Sequence, residues 1–171
     1  MTRSLNGGVD ELPLPEIPGR LFLCGKHFIG PDPVSATARV GATTVVCLNQ
    51  RYELDDRYPH YVAWLEARSD HAAIWHPIPD LHAPEFDAAV ELVALLQTRL
   101  SAGEVLLMHC AAGIGRTGTM AAALLIAMGT TYDDALAMVA ASRPMAGPEV
   151  GSQQQLLRRL GERYGPRLGD H

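Results

Sequence analysis

The sequence predicts an α/β fold: one domain with a central, mostly parallel sheet of four to five strands flanked by helices. Three observations lead there. Short apolar or β-branched runs lack polar alternation, as strands buried on both faces do. Segments of helical period alternate with those runs, the pattern of βαβ connections. The 171 residues are 47% apolar and 19% charged, which suits a single well-filled core and argues against disorder.

In chain order, residues 1–19 hold Gly7, Gly8, Pro13, Pro15, Pro18 and Gly19 and read as an irregular arm, leaving 20–171 as one domain. Leu21–Cys24 suits a short strand. Pro33–Val40 suits a helix closed by Gly41. Thr43–Leu48 (TTVVCL) is β-branched and apolar throughout, so it suits a buried parallel strand. A helix over Tyr61–Arg68 and a strand over Ala73–His76 follow, the latter stopped by Pro77. Residues 77–84 (PIPDLHAP) form a loop, because each residue before a proline is pushed out of helical geometry. Phe86, Ala89, Val90, Val93, Leu96 and Leu100 have helical spacing, ended by Gly103. Val105–Met108 is the next strand, and helices follow at Thr117–Met128, Asp133–Ala141 and Ser152–Tyr164.

The most informative stretch is 105–118, VLLMHCAAGIGRTG. An apolar strand ends at His109 and Cys110, and Arg116 and Thr117 open the next helix. Strand ends that meet helix N-termini are where open α/β sheets bind ligands. A helix N-terminus offers unpaired N–H groups and partial positive charge to a phosphate-like anion. Gly113 and Gly115 permit the dihedrals and close approach of an anion-binding nest, so residues Ala111, Ala112, Gly113, Ile114 and Gly115 are the expected phosphate cradle. The same field favours the thiolate form of a cysteine. Arg116 can grip two phosphoryl oxygens with its planar fork. His109 can brace the loop by hydrogen bonds, and the Thr117 hydroxyl can donate to the sulfur. A thiolate and an arginine around one phosphate suit in-line displacement through a phosphocysteine.

This segment resembles the signature of the protein tyrosine phosphatase superfamily, H-C-x5-R-[ST], which His109, Cys110, Arg116 and Thr117 match in full. Residues 77–84 look like the mobile acid loop of the dual-specificity branch. Residues 143–157 look like the segment after the catalytic helix in the mitotic-exit and kinase-associated phosphatases, and 43–54 like the strand and rim loop of the same compact branch. The resemblance implies a phosphatase II-like fold and hydrolysis of phosphotyrosine, with phosphoserine or phosphothreonine as further substrates. It makes Cys110 the nucleophile, and Asp80 the general acid and then the base that activates water. A turn aspartate or N-cap is the plainer reading of Asp80. In such families a glutamine at the start of the last helix positions the water, which points to Gln154 or Gln155. Some compact relatives pair the nucleophile with a cysteine on the strand of Cys47, which would protect Cys110 from over-oxidation; a small core residue is the alternative. His82 is a candidate for the pocket or for solvated loop, and Arg51, Tyr52 and Glu53 for the rim of the cleft.

The remaining expectations are negative or general. A net charge of −5 argues against nucleic-acid binding. No apolar run reaches the ~18 residues of a membrane span, and the start MTRSLNGGVDELPLP lacks the apolar core of a signal peptide. Three cysteines do not make a disulfide framework, so reduced thiols and a cytoplasmic location are expected. There is no His-x3-His or Cys-x2-Cys spacing and no G-x4-G-K-[ST], so neither a metal nor a cofactor is expected. The expected partner is a phosphorylated protein. Ala111, Ala112 and Ile114 add no charge for a polyphosphorylated head group, so a phosphoinositide or small metabolite is the alternative substrate, and a phosphoprotein-binding module without turnover the alternative class.

Overall fold

Five strands form one sheet in the order β1-β2-β5-β3-β4: β1 (Val9–Leu12), β2 (Arg20–Gly25), β3 (Thr44–Cys47), β4 (Ala73–Trp75) and β5 (Val105–Cys110). The description rests on a computed structural model and covers residues 8–69 and 71–165. The β2–β5, β5–β3 and β3–β4 pairs are parallel, and only β1 runs antiparallel, along β2. The sheet is mostly parallel, as its unalternated strands predict.

Residues of β5 alternate between two cores, as side chains of a strand must. Leu106, Met108 and Cys110 pack in the core with α5 (Phe86–Ser101), α6 (Gly115–Ala127), α7 (Tyr132–Ser142) and α8 (Gly151–Tyr164). Leu107 packs in the other, with α2 (Pro33–Val40) and α4 (Pro59–Arg68). Helix α6 is buried from Gly115 through Ile126, which accounts for its Ala- and Leu-rich sequence, apolar on every side. Helix α2 starts on Asp32, whose carboxylate accepts from Ser35 N, and ends on Gly41 in the left-handed region.

Three elements depart from the expectation. Residues 9–12, assigned to an irregular arm, form β1, while residues 1–7 of that arm lie outside the described residues. Two acidic residues in VDEL disguise the strand; Asp10 is buried there because a distant arginine neutralises it. The single turns α1 (Lys26–Ile29) and α3 (Tyr52–Asp55) are too short for a periodic signal. No helix among the described residues is long and apolar enough to cross a membrane.

Candidate active site

The cradle is built from one continuous loop whose polar groups are sorted by direction. Its carbonyls are all engaged by the scaffold. Ala111 O accepts from Lys26 N at 2.9 Å, Ala112 O from Arg143 Nη2 at 2.9 Å, Gly113 O from Arg143 Nε at 2.9 Å, and Ile114 O from Gly118 N and Gly147 N. By contrast, no backbone N–H of residues 111–117 donates to a described residue. A run of free N–H donors at a helix N-terminus is an anion site. Gly113, at φ +73°, lies so close to β2 that a Cβ would collide with the Cys24 carbonyl. The residues expected from sequence as the cradle, Ala111 to Gly115, are therefore brought together as one.

Cys110 ends β5 and, with Arg116, Asp80, Leu81, Ala111, Ala112, Gly115 and Glu149, lines a cavity of about 180 Å³. Arg116 is held by a side chain the sequence suggested only as rim. Glu53 accepts from Nη1 and Nη2, both at 2.8 Å, and Ile78 O accepts from Nη1 at 2.8 Å. Burial alone would raise the Glu53 carboxyl, but bonds from Arg116, Gln50 N and Asn49, with the arginine's charge, hold it below the ordinary carboxylate range. Burial pulls the Arg116 guanidinium down, and the Glu53 bonds together with the charges of Cys110, Glu53 and Asp80 more than reverse this. Arg116 Nε and Thr117 Oγ1 are buried without a hydrogen-bond partner. Two orphaned donors beside the cradle are the groups an anion would satisfy. Asp80 sits in the proline-stiffened loop, with Oδ1 2.9 Å from Leu81 N and 3.5 Å from Arg116 Nη2.

His109 braces the loop from the opposite face of the sheet. Its Nδ1–H donates to Cys110 O at 3.3 Å, and its Nε2 accepts from Tyr61 Oη. Burial pushes its pKa down to about 4, against the bond to Cys110 O that raises it, so the ring is neutral. Cys24 and Cys47 flank His109 in register from β2 and β3, one residue short of Cys110. Cys47 packs in the core with Tyr61 and does not line the cavity, and burial pushes its thiol up to about 12. All three cysteines are free.

Other candidates fall elsewhere. Gln154 and Gln155 are exposed and line no part of the cavity. Helix α8 buries Gln153, Leu156, Leu157 and Leu160, so the helical period turns 154 and 155 to the outside. The buried Gln153 instead ties two site segments, accepting from Glu149 N at 2.8 Å and donating to His82 O at 3.1 Å. His82 turns back on Asp80 O, and Tyr52 is exposed outside the cavity. Arg143, Glu53 and Glu149 have no local signature; each reaches the site from a separate segment. Among the described residues no group of His, Cys, Asp and Glu is placed to hold a metal ion.

The site thus combines a thiol beside an amide cradle on a parallel sheet with an arginine fork and a loop carboxylate. The family model described as PTP-SAK, the Swiss Army Knife protein DSP-PTPase phosphatase domain, matches residues 18–162, and the chain belongs to this family. Dual specificity protein phosphatase 22-B of Danio rerio is 43% identical over 61 residues, 35% of this chain and 33% of that protein. The match thus spans about a third of the length of that curated relative. Among solved structures, Tk-PTP in its active form is 27% identical with a TM-score of 0.68, over 90% of this chain and 97% of that one. The kinase associated phosphatase, with its catalytic cysteine replaced by serine, is 21% identical with a TM-score of 0.76, over 94% and 97%.

Proposed function

We propose that this protein is a phosphatase that hydrolyses phosphotyrosine in phosphorylated proteins, and phosphoserine or phosphothreonine as well, through a phosphocysteine intermediate. One observation carries the reading: Cys110, Arg116 and Asp80 line a single small cavity together with Ala111, Ala112 and Gly115 of the loop whose amides are unpaired among the described residues. The Cys110 thiolate attacks phosphorus in line. The amides and Arg116 Nε take up the charge that develops on the equatorial oxygens. Asp80 protonates the ester oxygen as it leaves. The Thr117 hydroxyl donates to the sulfur when the phosphoryl group departs in the second step. Thiolate, arginine and amides supply nucleophile and charge, so the reaction has no need of a metal. The exposed Leu81 at the cavity rim offers an apolar contact to an aromatic ester. The uncharged side chains of Ala111, Ala112 and Ile114 favour a single monoester over a polyphosphate.

The test is hydrolysis of an aryl phosphate in the presence of chelator, with vanadate as inhibitor. Turnover should vanish in Cys110→Ser while vanadate binding persists. Near-normal turnover in the serine variant would overturn the mechanism. A panel of phosphopeptides and phosphoinositides at matched concentration then separates the protein substrate from the lipid alternative.

A further inference from the structure

Two carboxylates, not one, face the thiol. Glu149 lines the same cavity as Cys110, Arg116 and Asp80. Its Oε1 lies directly over the backbone of Gly115, the first residue of α6, so closely that a Cβ there would collide with it. That glycine therefore makes room for this carboxylate. Asp80 is engaged by Leu81 N and approaches Arg116. The Glu149 side chain, in contrast, has no hydrogen bond or ion pair with a described residue, and only its backbone N–H is bonded, to Gln153 Oε1. Gln153 donates in turn to His82 O, two residues from Asp80. One buried amide thus fixes both carboxylate-bearing segments at the cavity. No glutamine side chain lines it, so its wall on the 147–153 side presents a carboxylate where an amide was expected.

We propose that Glu149 is a second catalytic carboxylate, which holds and deprotonates the water that releases phosphate from Cys110. This rests on the phosphocysteine reading above and divides the proton chemistry between two residues. In the first step the S–P bond forms, the ester P–O bond breaks, and the proton of Asp80 goes to the leaving oxygen. In the second, the water oxygen bonds to phosphorus as one of its protons passes to Glu149. The S–P bond breaks, and its electron pair returns to Cys110 as thiolate. Inorganic phosphate leaves, and Glu149 returns its proton to solvent. A free carboxylate is suited to this, since its oxygens have acceptor capacity to spare for a water.

Stopped-flow hydrolysis of p-nitrophenyl phosphate by Glu149→Ala and Glu149→Gln tests it. The expected result is a burst of about one nitrophenolate per site at the wild-type rate. A steady state lower by on the order of 10²-fold follows, and phosphoenzyme on Cys110 accumulates by intact-mass measurement. Glu149→Asp should restore part of the steady-state rate, which a merely structural role would not require. Wild-type kcat in Glu149→Ala would overturn the proposal. So would a burst that slows in step with kcat, because the residue would then act in the first step or on the shape of the site. Failure of the phosphatase reading looks different: turnover would survive Cys110→Ser, and no variant would carry phosphate on that cysteine.

Discussion

Arg116 serves two carboxyl-like partners with one guanidinium. Nη1 and Nη2 are bonded to Glu53, and the unpartnered Nε is a donor left for phosphate. Lysine keeps the charge but cannot divide it in this way. Arg116→Lys should therefore lower kcat/KM for an aryl phosphate by on the order of 10²-fold or more, with the far-UV spectrum unchanged. Glu53→Ala removes the buried partner of the guanidinium and leaves it Ile78 O and the more distant Asp80, and a broken buried pair costs up to about 3–5 kcal/mol; urea unfolding at neutral pH measures it. Because the folded-state carboxyl of Glu53 is held below its ordinary value, its contribution is present at neutral pH and is lost as pH falls. Asp80→Asn removes the proton donor. The rate of an enzyme that needs its acid protonated falls at high pH, and that alkaline fall should disappear in the variant, along with about 10²-fold or more of kcat.

The elements differ in how far the sequence announced them. The strand, loop and helix around Cys110 were legible because nucleophile and arginine lie on one short segment, where glycines, apolar run and helix start all coincide. The parallel strands were legible as short unalternated apolar runs, and the long helices through their periodicity. What holds the loop was not. Glu53 reaches Arg116 across 63 positions and Asp10 reaches Arg143 across 133, distances over which one sequence carries no pairing signal. The orientation of the glutamines was hidden for another reason: which of three neighbours on α8 faces inward is decided by the buried Leu156, Leu157 and Leu160, and that helical phase buries Gln153 and exposes Gln154 and Gln155. The clamp from β1 makes a prediction at this scale. Arg143 bonds two cradle carbonyls and the buried Asp10 at once. Arg143→Lys retains the charge but not the fork, so vanadate should bind at least several-fold more weakly, by isothermal titration, although Arg143 lines the outer side of the loop and not the cavity.

For the molecule as a whole, the buried imidazole of His109 couples folding to pH. Its pKa is lowered to about 4 when folded, against ~6.5 when unfolded. Between those values the unfolded chain binds the extra proton, so stability rises with pH across that window and is lost as pH falls through it. The size is about 2 kcal/mol between pH 7 and pH 5. Urea unfolding at the two pH values should show that loss in the wild type, and His109→Gln should shrink it. Both cores meet at this position, because His109 faces α4 while Cys110 packs on the α6 side, so a local protonation is felt as a global one.

The bond from Asp10 to Arg143 also orders events in time. Synthesis delivers β1 before the Cys110 loop, and that loop emerges before Arg143 leaves the ribosome. Domains tend to fold as units during synthesis. A nascent chain that ends at α6 holds every residue of the H-C-x5-R-[ST] signature, yet nothing fastens the carbonyls of Ala112 and Gly113. The cradle closes only when β1 and the end of α7 have met, and the reactive thiol stays without its finished pocket until Arg143 has been made.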